Sequence, residues 1–124
     1  MSSLLPSKTV IPVYELCKNG ESIISKFFRE IEQNPILLNQ FAGAIRILED
    51  TANLNRRPKS KFRLIIGHKL NCKVYESKYG SIRIYLYHEE KTGRIIVAGG
   101  LKDTQAKDIK SAIKLIKDYY DTIK

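Results

Sequence analysis

Between residues 71 and 103 the apolar positions fall into three short runs rich in Val, Ile and Tyr. Tyr79-Gly80 and Glu90-Lys91-Thr92-Gly93 separate them, so the pattern predicts consecutive antiparallel strands joined by Gly-containing turns. With Tyr79-Gly80 as a two-residue loop, Lys78 pairs with Ser81, Glu76 with Arg83, Val74 with Tyr85 and Cys72 with Tyr87. Tyr75, Ile82, Ile84 and Leu86 then share an apolar face. Pairing Glu89 with Arg94 across the second turn adds Ile95 and Val97 to that face and sets Arg83 opposite Gly100. The same register gathers Glu76, Lys78, Arg83, Lys102, Tyr85 and Tyr87 on the other surface, where Ala98 and Gly100 leave room between exposed side chains. A slip of one residue would turn all of these side chains over.

Upstream, residues 9–16 alternate as a strand does, and Pro12, which has no N–H to donate, marks it as an edge strand. Asn19-Gly20 turns the chain. Over residues 21–33, Ile23, Ile24, Phe27, Phe28 and Ile31 recur at helical spacing. Asn34-Pro35 then supplies an N-cap and a first-turn proline for a second helix with Leu37, Phe41, Ala44, Ile45 and Leu48 on one face. So short a connection makes the two helices an antiparallel hairpin. Residues 53–61 are a polar basic loop, and residues 62–66 begin another strand that Gly67 closes. After the three strands, Asp103-Thr104 caps a last helix that buries Ile109, Ala112, Ile113, Ile116, Tyr119 or Tyr120, and Ile123. Lys107, Lys110, Lys114, Lys117 and Lys124 form its opposite, solvated stripe. The expected architecture is α+β: an N-terminal edge strand, a helical hairpin, an antiparallel meander and a C-terminal helix, in one domain over residues 1–124.

Charge sharpens this picture. Residues 1–55 carry five Lys/Arg against six Asp/Glu, and residues 56–124 carry seventeen against seven. So concentrated a field points to a polyanion or an acidic protein as partner. Cys17 and Cys72 lack the spacing of a zinc site or disulfide framework, so two thiols in a reducing cytosol are expected. The N-terminus lacks a signal-peptide pattern, and no apolar run is long enough for a membrane span. No P-loop, GxSxG, HExxH or GxGxxG motif occurs.

What remains is the cationic face with one carboxylate. A phosphodiester under attack gathers negative charge on its equatorial oxygens, which fixed Lys and Arg donors stabilise without a metal or cofactor. In RNA the substrate's own 2′-OH is the attacking group. Glu76 could take its proton, while Lys78, Arg83 and Lys102 hold the phosphate. Tyr85 or Tyr87 could stack a base, with Lys73, Arg56 and Arg57 as further RNA-binding cations. The competing reading of the same residues is a cross-strand Glu76–Arg83 ion pair with tyrosines that merely pack. His68 and His88 are the only imidazoles, and His88 falls on the apolar face as a structural residue.

The stretch VYESKYGSIRIYLY, followed by an apolar strand and LKDTQAKDIKSAIKLIKDYY, resembles the RelE/HigB/ParE toxin superfamily of bacterial type II toxin–antitoxin systems. Tyr75-Glu76-Ser77-Lys78 stands for the family's first strand motif, Arg83-Ile84-Tyr85 for its partner, and Lys102-Asp103-Thr104-Gln105 for the passage into the final helix. The resemblance implies a RelE-like fold and a small cytoplasmic toxin, usually a ribosome-dependent mRNA endonuclease neutralised by a cognate antitoxin. It also implies that Arg83, Lys78 and Lys102 occupy the family's basic positions, with Glu76 fitting the HigB-like pattern. Asp103 departs from the family's usual Lys-Lys pair. A ParE-like gyrase inhibitor, or a nucleic-acid binder without catalysis, is the other expectation.

Overall fold

The computed structural model describes residues 8–123, the side chain of Ile123 excepted. The expectations for the extreme N-terminus, for burial of Ile123 and for Lys124 in the lysine stripe lie outside the described residues. The chain runs β1 (Val13–Glu15), β2 (Cys17–Lys18), β3 (Glu21–Ser22), α1 (Ile23–Ile31), α2 (Pro35–Ala52), β4 (Phe62–Ile65), β5 (Lys73–Tyr79), β6 (Ile82–Glu89), β7 (Gly93–Leu101) and α3 (Gln105–Ile123). A single 3₁₀ turn, Lys102–Thr104, precedes α3.

Local chemistry explains most of these boundaries. Pro12 cannot pair through nitrogen, so the N-terminal strand shrinks to Val13–Glu15, parallel to β7 at the sheet edge, while the Pro12 carbonyl accepts the Arg94 N–H at 2.8 Å. Asn19 and Gly20 both take positive φ, as a two-residue type I′ turn requires, and close the small β2–β3 hairpin. That hairpin claims Glu21 and Ser22, so α1 starts at Ile23, with the Ser22 hydroxyl accepting from the Ser25 N–H. Asn34 caps α2 as its sequence predicts, its side-chain oxygen accepting from the Ile36 and Leu37 N–H groups at 3.0 and 3.1 Å.

The five-stranded sheet runs in the order β1-β7-β6-β5-β4 and is antiparallel apart from β1, so the α+β architecture with its meander is present. Both faces are covered. Ile82, Ile84, Leu86 and Ile96 pack with Ile24, Phe41, Ala44 and Leu48 of α1 and α2. Val74, Tyr85, Tyr87, Ile95 and Val97 pack with Ala112 and Ile116 of α3. Tyr120 is the partly buried member of the Tyr119/Tyr120 pair, and Tyr119 is exposed.

Register departs from expectation in two places. The β5–β6 loop is Gly80-Ser81, with Tyr79 opposite Ile82, Lys78 opposite Arg83 and Glu76 opposite Tyr85. Gly80 alone takes positive φ, which suits glycine at the first central position of a type II′ turn. The Ser81 N–H also docks on Gln40 of α2 at 2.8 Å. Moving the loop by one residue shifts each pairing by two, so no side chain changes face. The second departure does change faces. A bulge between Tyr85 and Leu86 lets Arg83 face Gly100 as expected while Tyr87 faces Ile95 and Leu86 faces Ile96. Ile95 and Val97 therefore join the α3 side, and Ile96 takes their expected place under α1 and α2.

Arg94 ties the two ends of the first core together. Its guanidinium lies over the stacked rings of Tyr75 and Phe62, at 5.3 and 5.5 Å from their centroids, and donates to the Thr51 hydroxyl at 2.7 Å. Burial lowers its pKa, against the smaller opposing influence of Tyr75.

Candidate functional site

The pleat sets the candidate residues in two neighbouring rows across the sheet. The first row is Arg63, Glu76, Tyr85 and Ala98, each directly opposite the next. The second is Lys78, Arg83 and Gly100. Side chains of both rows point to the face that α3 covers, and the first turns of α3 lie over them. Glu76, Lys78 and Arg83 thus share one face, as the alternation predicts.

Burial alters what each can do. Glu76 is 0% exposed and is held from two sides. Arg63 Nε donates to its Oε1 at 2.6 Å, and Gln105 Nε2 donates to its Oε2 at 2.8 Å. The Glu76–Arg83 ion pair of the competing reading is replaced by Glu76–Arg63, because the shifted loop puts Tyr85, not Arg83, opposite Glu76. Arg83 is 8% exposed, so the expectation of an open, exposed arginine is corrected too. Its Nη1 donates to the carbonyls of Gly80 and Ile82 at 2.8 and 3.0 Å, while its Nε is buried with no hydrogen-bond partner among the described residues. Lys78 is half-buried and Lys102 exposed, and neither forms an ion pair among the described residues. Lys102 is anchored through its own N–H to the Ser81 carbonyl at 2.8 Å.

Tyr85 and Tyr87 are corrected as base-stacking residues. Both rings are fully buried under α3, Tyr87 edge-on to Tyr120 with centroids 5.9 Å apart. Neither offers a free face. The Tyr85 hydroxyl sits near Glu76 without making a well-formed hydrogen bond, and burial first, then the Glu76 charge, raises its pKa well above that of a free phenol. Asp108 adds to the rise and Arg83 opposes it. Tyr85 therefore stays protonated, a donor beside the carboxylate. Burial likewise pushes up Tyr87 and, with Cys72 and Glu89 nearby, Tyr120.

This has a consequence for stability. Tyr85 and Tyr87 hold their protons more tightly folded than unfolded, so their contribution is complete below the ordinary phenol pKa near 10 and is lost as pH rises above it. The urea midpoint is expected to be flat from neutrality to about pH 9 and then to fall, each tyrosine adding up to about 1.4 kcal/mol per pH unit. Replacing both by phenylalanine should make that alkaline limb shallower, with Tyr120 keeping its own share. A limb of unchanged steepness would show that other groups set it.

The remaining expected cations lie elsewhere. Lys73 stands at the start of β5, three residues from Glu76 and so about 10 Å along the strand, in a groove with Cys72, His88, Glu89 and Tyr120. Arg56 and Arg57 border a shallow depression with Thr51, Leu54 and Phe62 beside the end of α2, and Arg57 pairs with Asp50 at 3.1 Å. None of the three reaches Glu76. Cys17 and Cys72 are both free thiols.

Three members of the cluster were not foreseen. Arg63 lies on the strand predicted at residues 62–66, but its register with β5 depends on a connection whose turn no motif specifies. Gln105 and Asp108 belong to the first turns of the last helix, and periodicity alone does not say which strands that helix crosses. Asp108 sits over Gly100 where a larger residue would collide with it, and accepts from the Thr104 hydroxyl at 2.5 Å. Glycine at position 100 is the one trace of this close approach visible in the sequence.

Among the described residues no helix is long and apolar enough to cross a membrane. No protein-family model matches the chain, and no curated protein matches it.

Proposed function

We propose that this chain is the toxin of a type II toxin–antitoxin pair: a cytoplasmic, ribosome-dependent mRNA endonuclease of the RelE/HigB kind, held inactive by a cognate antitoxin. The observation that carries the reading is the convergence on one face of Arg63, Glu76, Lys78, Arg83 and Tyr85, with two buried donors, Arg83 Nε and Tyr85 OH, left without hydrogen bonds among the described residues. Unpaired buried donors cost about 1–3 kcal/mol each, so a group that accepts from them gains what the free protein lacks. A phosphate's oxygens are such acceptors.

In the proposed reaction the RNA 2′-oxygen attacks the adjacent phosphorus and the 5′-oxygen of the next nucleotide leaves. Glu76 takes the 2′-OH proton, and Arg83 with Lys78 and Lys102 offsets charge on the equatorial oxygens. Tyr85 stands as a neutral donor for the departing oxygen. Glu76 and Tyr85, both fully buried, serve only once Gln105 and the first turn of α3, which close over them, swing aside.

A second reading draws on that same enclosure. Glu76 is already neutralised by Arg63 and capped by Gln105. A carboxylate so engaged suits a structural ion pair under a cationic rim, as in a ParE-like gyrase inhibitor or a nucleic-acid binder without catalysis. Induced expression followed by primer extension on cellular mRNA separates the two. Cuts at codons that vanish in Arg83→Ala support the endonuclease; intact mRNA with an SOS response supports the gyrase inhibitor.

The endonuclease and the nucleic-acid binder both predict salt-dependent association with single-stranded RNA, which a gyrase inhibitor does not require. With about three phosphates neutralised by Lys78, Arg83 and Lys102, the logarithm of affinity should fall with the logarithm of salt at a slope of about −2. A slope near zero in a filter-binding titration would rule out phosphate contacts as the main attachment.

A further inference from the structure

We propose that the outer edge of β4 is a docking site for an acidic, extended segment of a partner protein, which adds to the sheet as its next strand. β4 is the last strand on its side of the sheet. The Lys78 N–H donates to the Lys61 carbonyl at 2.7 Å, so positions 61, 63 and 65 turn their backbone groups towards β5. Positions 62 and 64 turn theirs outward. The Phe62 N–H is taken by the Pro58 carbonyl at 2.9 Å, which leaves Leu64 at the centre of the strand facing outward with both N–H and C=O.

The same positions present apolar side chains to solvent. Leu64 is 46% exposed on the side of the sheet that carries α2, and Ile66, the residue just past the strand, is 81% exposed. Edge strands are ordinarily guarded by a proline, a bulge or charged side chains along the free row. β1, at the opposite edge, follows Pro12; β4 has no proline, and its one charge, Arg63, turns to the other face to hold Glu76. Backbone groups and alternate side chains are what strand addition reads.

Charge selects the occupant. From Leu54 to Lys73 the chain carries seven Lys/Arg and no Asp or Glu. A second copy of this chain, with net charge +9, would bring like charge against like. Nucleic acid would satisfy the cations but neither the Leu64 amide and carbonyl nor the apolar row. A segment alternating Glu or Asp with Val or Ile satisfies all three. This surface is on the opposite side of the sheet from the Glu76 cluster, so the proposal stands or falls separately from RNA cleavage.

The test uses the full chain and a synthetic peptide of about eight residues alternating Glu and Val, followed by amide hydrogen exchange and fluorescence anisotropy. Exchange at Leu64 is expected to slow by roughly tenfold or more, with the β1 edge unchanged. A central Val→Pro change in the peptide, which removes a backbone donor, should abolish binding, and the double substitution Leu64→Lys with Ile66→Lys should weaken it at least about tenfold. Equal binding of the proline peptide would reduce the effect to charge and overturn the proposal. So would peptide binding without protection at Leu64, concentration-dependent self-association that protects Leu64 unaided, or equal protection by a single-stranded RNA oligomer. The Leu64/Ile66 variant should retain whatever RNA cleavage the native chain has.

Discussion

Under the proposed endonuclease reading, Arg83→Ala is expected to lower RNA cleavage by about 10²–10³-fold and to abolish growth arrest on induced expression, because that reading assigns the Arg83 guanidinium to the developing phosphate charge. The change also strips two hydrogen bonds from the Gly80 and Ile82 carbonyls beside the β5–β6 turn. It should therefore cost about 1–2 kcal/mol of stability, which urea denaturation would register without loss of the fold. Arg83→Lys separates the two effects: one ammonium keeps the charge but loses the planar fork that serves carbonyls and phosphate together. It should restore part of the cleavage and little of the turn's stability. Full toxicity in the alanine variant would remove Arg83 from the reaction.

Glu76→Ala should be the most damaging single change to folding among the cluster residues. It leaves the Arg63 guanidinium and the Gln105 amide without their acceptor and opens a cavity against Tyr85. Breaking a fully buried pair costs about 3–5 kcal/mol, but Arg63 is 37% exposed and can recover water, so about 2–3 kcal/mol is expected. For a domain of this size that lowers Tm by roughly 6–12 °C. Glu76→Gln keeps the volume and an acceptor for Arg63, and should cost only about 1–2 kcal/mol. Its activity is the informative measurement. Folded Glu76→Gln that binds RNA and no longer cuts it supports Glu76 as the base. Folded Glu76→Gln that cuts at the native rate assigns the carboxylate to the architecture alone.

Much of the fold is legible because its signals are local. Asn34-Pro35 starts α2 where capping chemistry says it should, and Asn19-Gly20 forms the turn its two positive φ angles need. The turn lies one residue beyond its expected place, since Tyr79-Gly80 and Gly80-Ser81 both contain the needed glycine and only the docking on Gln40 tells them apart. The bulge at Tyr85/Leu86 leaves no trace in the alternation, so the pattern puts Ile95 and Val97 on the side that Ile96 occupies. Of the site, Glu76, Lys78 and Arg83 were found on one face because a shift of two residues preserves it. Arg63, Gln105 and Asp108 come from elements distant in the chain, and Tyr85 and Tyr87 looked available because nothing nearby in sequence reveals what covers them.

Alternation and turn chemistry are properties of neighbouring residues, so the sequence by itself determined the order of elements, the α+β class and the side of the strand on which each β5 and β6 residue lies. Only the tertiary structure decided that α3 closes over the cationic face, that Arg63 instead of Arg83 neutralises Glu76, and that β4 is left with an open edge. Those outcomes depend on which distant segments pack together, and packing is settled by the whole buried surface rather than by any short run of residues.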